Sequence, residues 1–192
     1  MSRLRDTLAE LYGDVHRQWN ASATYCERHG IDNRACHGFC GMVTITPISL
    51  LPTGRFDLPD HGAKSNLGVI IEAMDGSGEQ AIDLVAWPAE NPRDVRTLCG
   101  LAPILGLWAA LNPATYIFDH PLEIHRTPLD WLRADCTGAA IIIPKIAGRF
   151  LIDLPGPFGG QDAGHVRSLR KMVEAPGKRV EFLMPSPVRR AA

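Results

Sequence analysis

The sequence predicts an α+β protein, a mainly antiparallel sheet packed with helices, and three observations carry that prediction. Apolar, β-branched runs at 67–73 and 80–87 flank the turn cluster Asp75-Gly76-Ser77-Gly78. A linker of that kind folds two strands into an antiparallel hairpin. Apolar residues recur at helical spacing through the first thirty positions. The second half then alternates capped helix starts with short apolar runs.

Residues 3–29 read as helix, with Leu4, Leu8, Leu11, Tyr12, Val15 and Trp19 as one apolar stripe. Gly13 is its weak point, Asn20 or Ser22 caps a second helix, and Gly30 suits its end. A helical turn is expected at 32–37, ending at Gly38 and Gly41. The run 42–46 is a strand stopped by Pro47, and a short strand at 55–58 interrupts a loop at 47–65. Asn91 as cap and Pro92 at the first helical position predict a helix over 91–99; 103–111, apolar all round, predicts a buried one. Tyr116-Ile117-Phe118 and Leu122–His125 suggest a small hairpin across 116–125. Thr127 caps a helix over 128–135, opened by Pro128 and with Asp130 at N3. A buried strand at 139–143, a helix at 161–173 and a last strand at 180–184 follow; 145–153 fits helix or strand equally. One domain over 1–184, with an N-terminal helical segment 1–37 and a flexible tail 185–192, accounts for the chain.

Composition narrows the function. The 192 residues carry a net charge of −1, which excludes a globally basic nucleic-acid binder. The charge is uneven, however. Residues 145–192 hold nine Lys/Arg against four acids, a net of +5, and the rest of the chain carries the compensating acids. Arg167, Arg170, Lys171, Lys178 and Arg179 form the basic group able to track a phosphate backbone, or simply a solvated face. The longest nearly apolar run, 98–111, is too short to span a bilayer, so no membrane partner is expected. Five cysteines, odd in number and unevenly spaced, argue against a disulfide framework and for a reducing, cytoplasmic setting.

No phosphate-binding loop, dinucleotide fingerprint, His-Glu-x-x-His or Gly-x-Ser-x-Gly motif is present. Three clusters remain. Cys26, His29, Cys36 and Cys40 offer the N and S donors of a zinc site, the one cofactor the sequence suggests, or else are small buried fillers with exposed histidines. Asp83 lies inside an apolar strand, with His61 in the preceding loop. It is either a general-base or metal carboxylate, or a group tied to backbone amides; a buried carboxylate must find donors. Asp162 and His165, three apart at a helix start, are either an acid/base pair or a first-turn carboxylate facing the helix dipole with a neighbour. The catalytic alternative joins Asp83, His61, Asp162 and His165 in one pocket of a small hydrolase-like enzyme.

Ile82-Asp83-Leu84-Val85-Ala86-Trp87, followed by Pro88, Pro92, Gly100 and Leu105-Gly106, resembles a module of the Toprim-containing, primase-like proteins of phages and mobile elements. Leu122-Glu123-Ile124-His125-Arg126-Thr127-Pro128-Leu129-Asp130-Trp131-Leu132 with Gly138 resembles a later block of it, and Gly30-Ile31 with strand 42–46 its start. The likeness covers residues 25–145. The Toprim catalytic pattern, a Glu strand followed by an Asp-x-Asp strand, is missing, and Cys26 and His29 match only half of a primase zinc ribbon. The resemblance therefore implies the non-catalytic part standing alone: an accessory protein that binds nucleic acid or a replication protein. A zinc-stabilised interaction module is the remaining alternative.

Overall fold

Hairpin formation around Asp75 organises the first half of the computed structural model, which describes residues 2–13, 15–32, 34–35, 42–59, 64–173 and 182–183. Asp75 Oδ1 accepts from the amides of Ser77, Glu79 and Gln80 and from the Ser77 hydroxyl, so one carboxylate closes the turn. Strands β3 (Asn66–Met74) and β4 (Ala81–Pro88) leave it antiparallel, with Val69 opposite Trp87 and Ala73 opposite Asp83. With β1 (Thr44–Leu50), β2 (Phe56–Asp57) and β5 (Arg96–Thr97) they make a five-stranded sheet in the order β2-β1-β3-β4-β5. Every pairing in it is antiparallel. Strand β1 runs through Pro47 instead of stopping there. Pro47 pairs with Leu67 of β3, while β2 reaches only Ser49 and Leu50, so its missing N–H falls on an open side.

Helices α1 (Ser2–Gly13) and α2 (Val15–His29) replace the single stripe expected over 3–29. Leu11 is buried, with Leu4 and Leu8 packed beside it against Ile70 and Leu84, whereas Tyr12 and Trp19 are half exposed. The second helix buries Ser22, Tyr25 and Cys26, and the Tyr25 hydroxyl accepts from Trp87 Nε1.

A second sheet, ordered β10-β9-β7-β8-β6, holds β6 (Ile104–Leu105), β7 (Leu122–His125), β8 (Ala139–Ile141), β9 (Phe158–Gly160) and β10 (Phe182–Leu183). Strands β8, β7, β9 and β10 are parallel and only β6 is antiparallel, so this half of the sheet structure departs from the antiparallel expectation. The chain stays α+β.

Around this sheet lie α3 (Leu107–Leu111), a 3₁₀ segment at Pro113–Asp119, α4 (Pro128–Arg133), α5 (Pro144–Ile152) and α6 (Ala163–Val173). Thr127 caps α4 as the sequence indicates: its Oγ1 accepts from the Asp130 amide and donates to the Asp130 carboxylate. The apolar side of α4 (Leu129, Trp131, Leu132) enters one core cluster with Val69, Val85 and Trp87 of the first sheet. Ala147 and Leu151 of α5, with Val166, Leu169 and Val173 of α6, fill another core beneath Leu122, Ile124 and Phe158.

Three local expectations fail. No helix forms over 91–99: Asn91 makes one turn, accepting from the Arg93 amide, and then β5 pairs with Val85 and Ala86 of β4. The 103–111 helix is a strand followed by the short α3. No hairpin forms at 116–125; a 3₁₀ turn leads into β7. Cys26 and Cys136 are each disulfide-bonded, contrary to the all-thiol expectation, and both are buried. Residues 33, 36 and 37 of the turn expected at 32–37, its end at Gly38 and Gly41, His61, residues 185–192 and most of strand 180–184 lie outside the described residues.

Candidate functional site

Asp83 is fully buried, and all its acceptor capacity is used. Oδ1 accepts from the amides of Leu84 and Cys99, both at 2.8 Å, and Oδ2 from those of Leu101 at 2.7 Å and Ala102 at 3.2 Å. Leu98 still donates to the Leu84 carbonyl of β4, and for the amides of Cys99, Leu101 and Ala102 the carboxylate takes the place of a strand. Gly100, at φ +77°, makes the reversal that brings amides on either side of it to the same carboxylate. Four backbone amides on one carboxylate match the arrangement read from the sequence as a group tied to backbone amides.

The parallel strands end at the second locus. From β7 the chain passes through α4 on one face of the sheet, and from the neighbouring β9 through α6 on the other. Adjacent strands that send their helices to opposite faces open a crevice at their carboxyl ends. His125-Arg126 and Gln161-Asp162 stand there. Arg126 Nη2 contacts Asp162 Oδ2 at 2.5 Å, and its amide donates to Gln161 Oε1 at 3.1 Å. Asp162 also caps α6, accepting from the His165 amide at 2.9 Å. That bond and then the Arg126 guanidinium hold its carboxyl below the usual range.

His165 is buried, and its Nδ1 accepts from the Gln161 amide at 3.3 Å. Burial first, then the charge of Arg126, pushes its pKa down. Asp162 therefore touches the backbone of His165 and not its ring, so the two form a cap and no acid/base dyad. His125, also buried, donates Nε2–H to the Thr137 carbonyl at 2.9 Å, which leaves Nδ1 as an acceptor without a partner among the described residues. His125 and Arg126 stand in the block 122–132 that carries the family resemblance, but no catalytic or binding motif marks them as site residues. The signal was the strand at 122–125 running directly into the Thr127 cap, which marks a strand end.

The catalytic quartet does not assemble among the described residues: Asp83 is sealed in the first sheet, Asp162 and His165 cap a helix of the second, and His61 lies outside them. The zinc set fares similarly. Cys26 is oxidised and offers no thiolate, His29 packs on Tyr25 with ring centroids 4.3 Å apart, and Cys36 and Cys40 lie outside the described residues. No group of three or more His, Cys, Asp and Glu is placed to hold a metal among the described residues.

The basic group stands on a helix pair. Gly148 of α5 approaches α6 so closely that a β-carbon there would lie 2.6 Å from the Met172 carbonyl oxygen. Lys145 and Arg149 on α5 and Arg167, Arg170 and Lys171 on α6 are exposed, while Asp153 and Asp162 sit at the helix ends. Lys178 and Arg179 lie outside the described residues. No helix of the described residues is long and apolar enough to cross a membrane.

No family model, curated protein or solved structure matches this chain.

Proposed function

We propose that the chain is a non-catalytic accessory protein of a phage or mobile genetic element, associated with replication, which binds nucleic acid through the outer face of α5 and α6. The observation that carries this reading is the row of five exposed Lys/Arg on two tightly packed helices, with the acids kept to the helix ends. Cations held on rigid helices can follow phosphates without ordering a loop on binding. The chemistry of the other sites supports the non-catalytic part. Asp83 accepts from four amides and Asp162 from the His165 amide and Arg126, so both carboxylates are engaged in holding the fold.

Fluorescence anisotropy with labelled single- and double-stranded DNA tests the reading. The combined Arg167→Ala, Arg170→Ala and Lys171→Ala variant should bind at least about tenfold more weakly, with unchanged melting, since three phosphate contacts are removed. Unchanged affinity would sink the proposal. A nucleic-acid partner implies a cytoplasmic protein; the oxidised Cys26 and Cys136 stand against that setting, where thiols are kept reduced.

A further inference from the structure

A groove of about 520 Å³ runs between α1 and the far end of β4. Leu4 and Leu8 form one wall; Ala81, Ile82 and Leu101 form the other. The volume falls in the range of about 300–1,000 Å³ usual for small-molecule clefts. Its shape is fixed before any ligand arrives, because Asp83 holds the amides of Cys99 and Leu101, which carry that wall, against β4.

Arg5 and Gln80 are the polar side chains that line it, and Arg5 is the charged one. Arg5 lines the groove, is exposed, and makes no ion pair or hydrogen bond among the described residues. Arg55, also exposed and without an ion pair among the described residues, lies over Gly100, where a β-carbon would be 3.1 Å from its guanidinium. Arg3 beside them is paired with Asp57 at 2.8 Å. The nearest carboxylate behind the wall, Asp83, is saturated by four amides. Cys99 lines the same groove as a free thiol.

We propose that this groove binds a small organic anion with an apolar body, such as a medium-chain carboxylate. The chain lies along the leucines and the carboxylate meets Arg5 and Arg55. The site stands apart from the α5–α6 face, so it can hold whether or not nucleic acid binds there.

Cys99 reports occupancy without a label. The intact protein is treated with iodoacetamide, with and without decanoate, and alkylation at Cys99 is followed by peptide mass spectrometry. Calorimetry measures decanoate affinity in parallel. Decanoate should slow alkylation of Cys99 at least fivefold, and decanol, the same chain without the charge, should protect far less. Arg5→Gln, a substitution at an exposed position, should weaken decanoate binding at least fivefold with unchanged melting. Absence of binding, binding that leaves Cys99 unprotected, or equal protection by decanol would each overturn the proposal. So would Arg5→Gln binding as tightly as the parent.

Discussion

Asp83 shows at the scale of one residue what a sequence discloses and what it hides. An acid inside an apolar strand must be paired, and that much follows from the run 82–87. Its donors do not follow. Three of the four come from 16 to 19 residues further on, in a stretch whose Asn-Pro start mimics a helix. Asp83→Ala removes the carboxylate and strands four amides beside a dry core, and we expect a loss of about 4 kcal/mol or more in urea unfolding. Asp83→Asn keeps one acceptor oxygen but turns a donor on the Leu101 and Ala102 amides, and should recover only part of that loss. A variant of either kind with full stability would contradict the clamp.

His165 gives a pH dependence of definite sign. Its folded pKa lies below the ordinary 6.5, so as pH falls through that value the unfolded chain takes up a proton that the folded chain refuses. Stability is therefore full above that range and declines on acidification until the folded pKa is passed. His29 is shifted the same way, by burial and then by Arg133. The urea midpoint should fall between about pH 7.5 and pH 5.5, and His165→Gln should flatten part of that slope. An unchanged slope would show that His165 is not the group responsible.

Among elements, those with two agreeing signals were legible: the hairpin, with turn chemistry and β-branched strands, and α4, with a capping box and proline. The 91–99 helix failed because its start signal, Asn91-Pro92, also fits a single turn, and Val85 and Ala86 supplied a strand edge that Arg96 and Thr97 could pair. Parallel pairing in the second sheet was hidden because strands of two to four residues carry no periodicity that distinguishes the two arrangements. The site at the ends of β7 and β9 was hidden with it, since it exists only once those strands are neighbours.

Phe118 is a local cost within the 3₁₀ segment: φ is 61° and the side chain 96% exposed, so it contributes little packing in return. Phe118→Asn, which tolerates left-handed backbone, should raise stability by about 0.5–1 kcal/mol. A loss would mean that the ring makes a contact worth more than the strain. Gly148→Ala should act in the opposite sense. Its β-carbon would force α5 from α6, at a cost of about 1–3 kcal/mol in thermal or urea unfolding.

Across the whole molecule, charge is separated more than it is abundant. A net charge of −1 gives no general attraction to nucleic acid, so the proposed binding rests on a local basic face. That surplus of basic residues was visible in the sequence; the packing of the two helices that carry five of them was not. The cysteines test the cellular setting. Alkylation at the moment of lysis, followed by mass spectrometry, should find Cys26 and Cys136 protected and Cys99 modified if the oxidised form is the native one. Modification of all three would restore the reducing environment inferred from the cysteine count.

The central claim is that polar groups inside the fold build it, while the helix-pair surface binds phosphate. The most direct measurement is DNA affinity as a function of salt. The account predicts that log affinity falls linearly with log salt, and that removing Arg167, Arg170 and Lys171 lowers the magnitude of that slope by about 2 to 3. A slope near zero for the parent protein, or one unchanged in the variant, would contradict it.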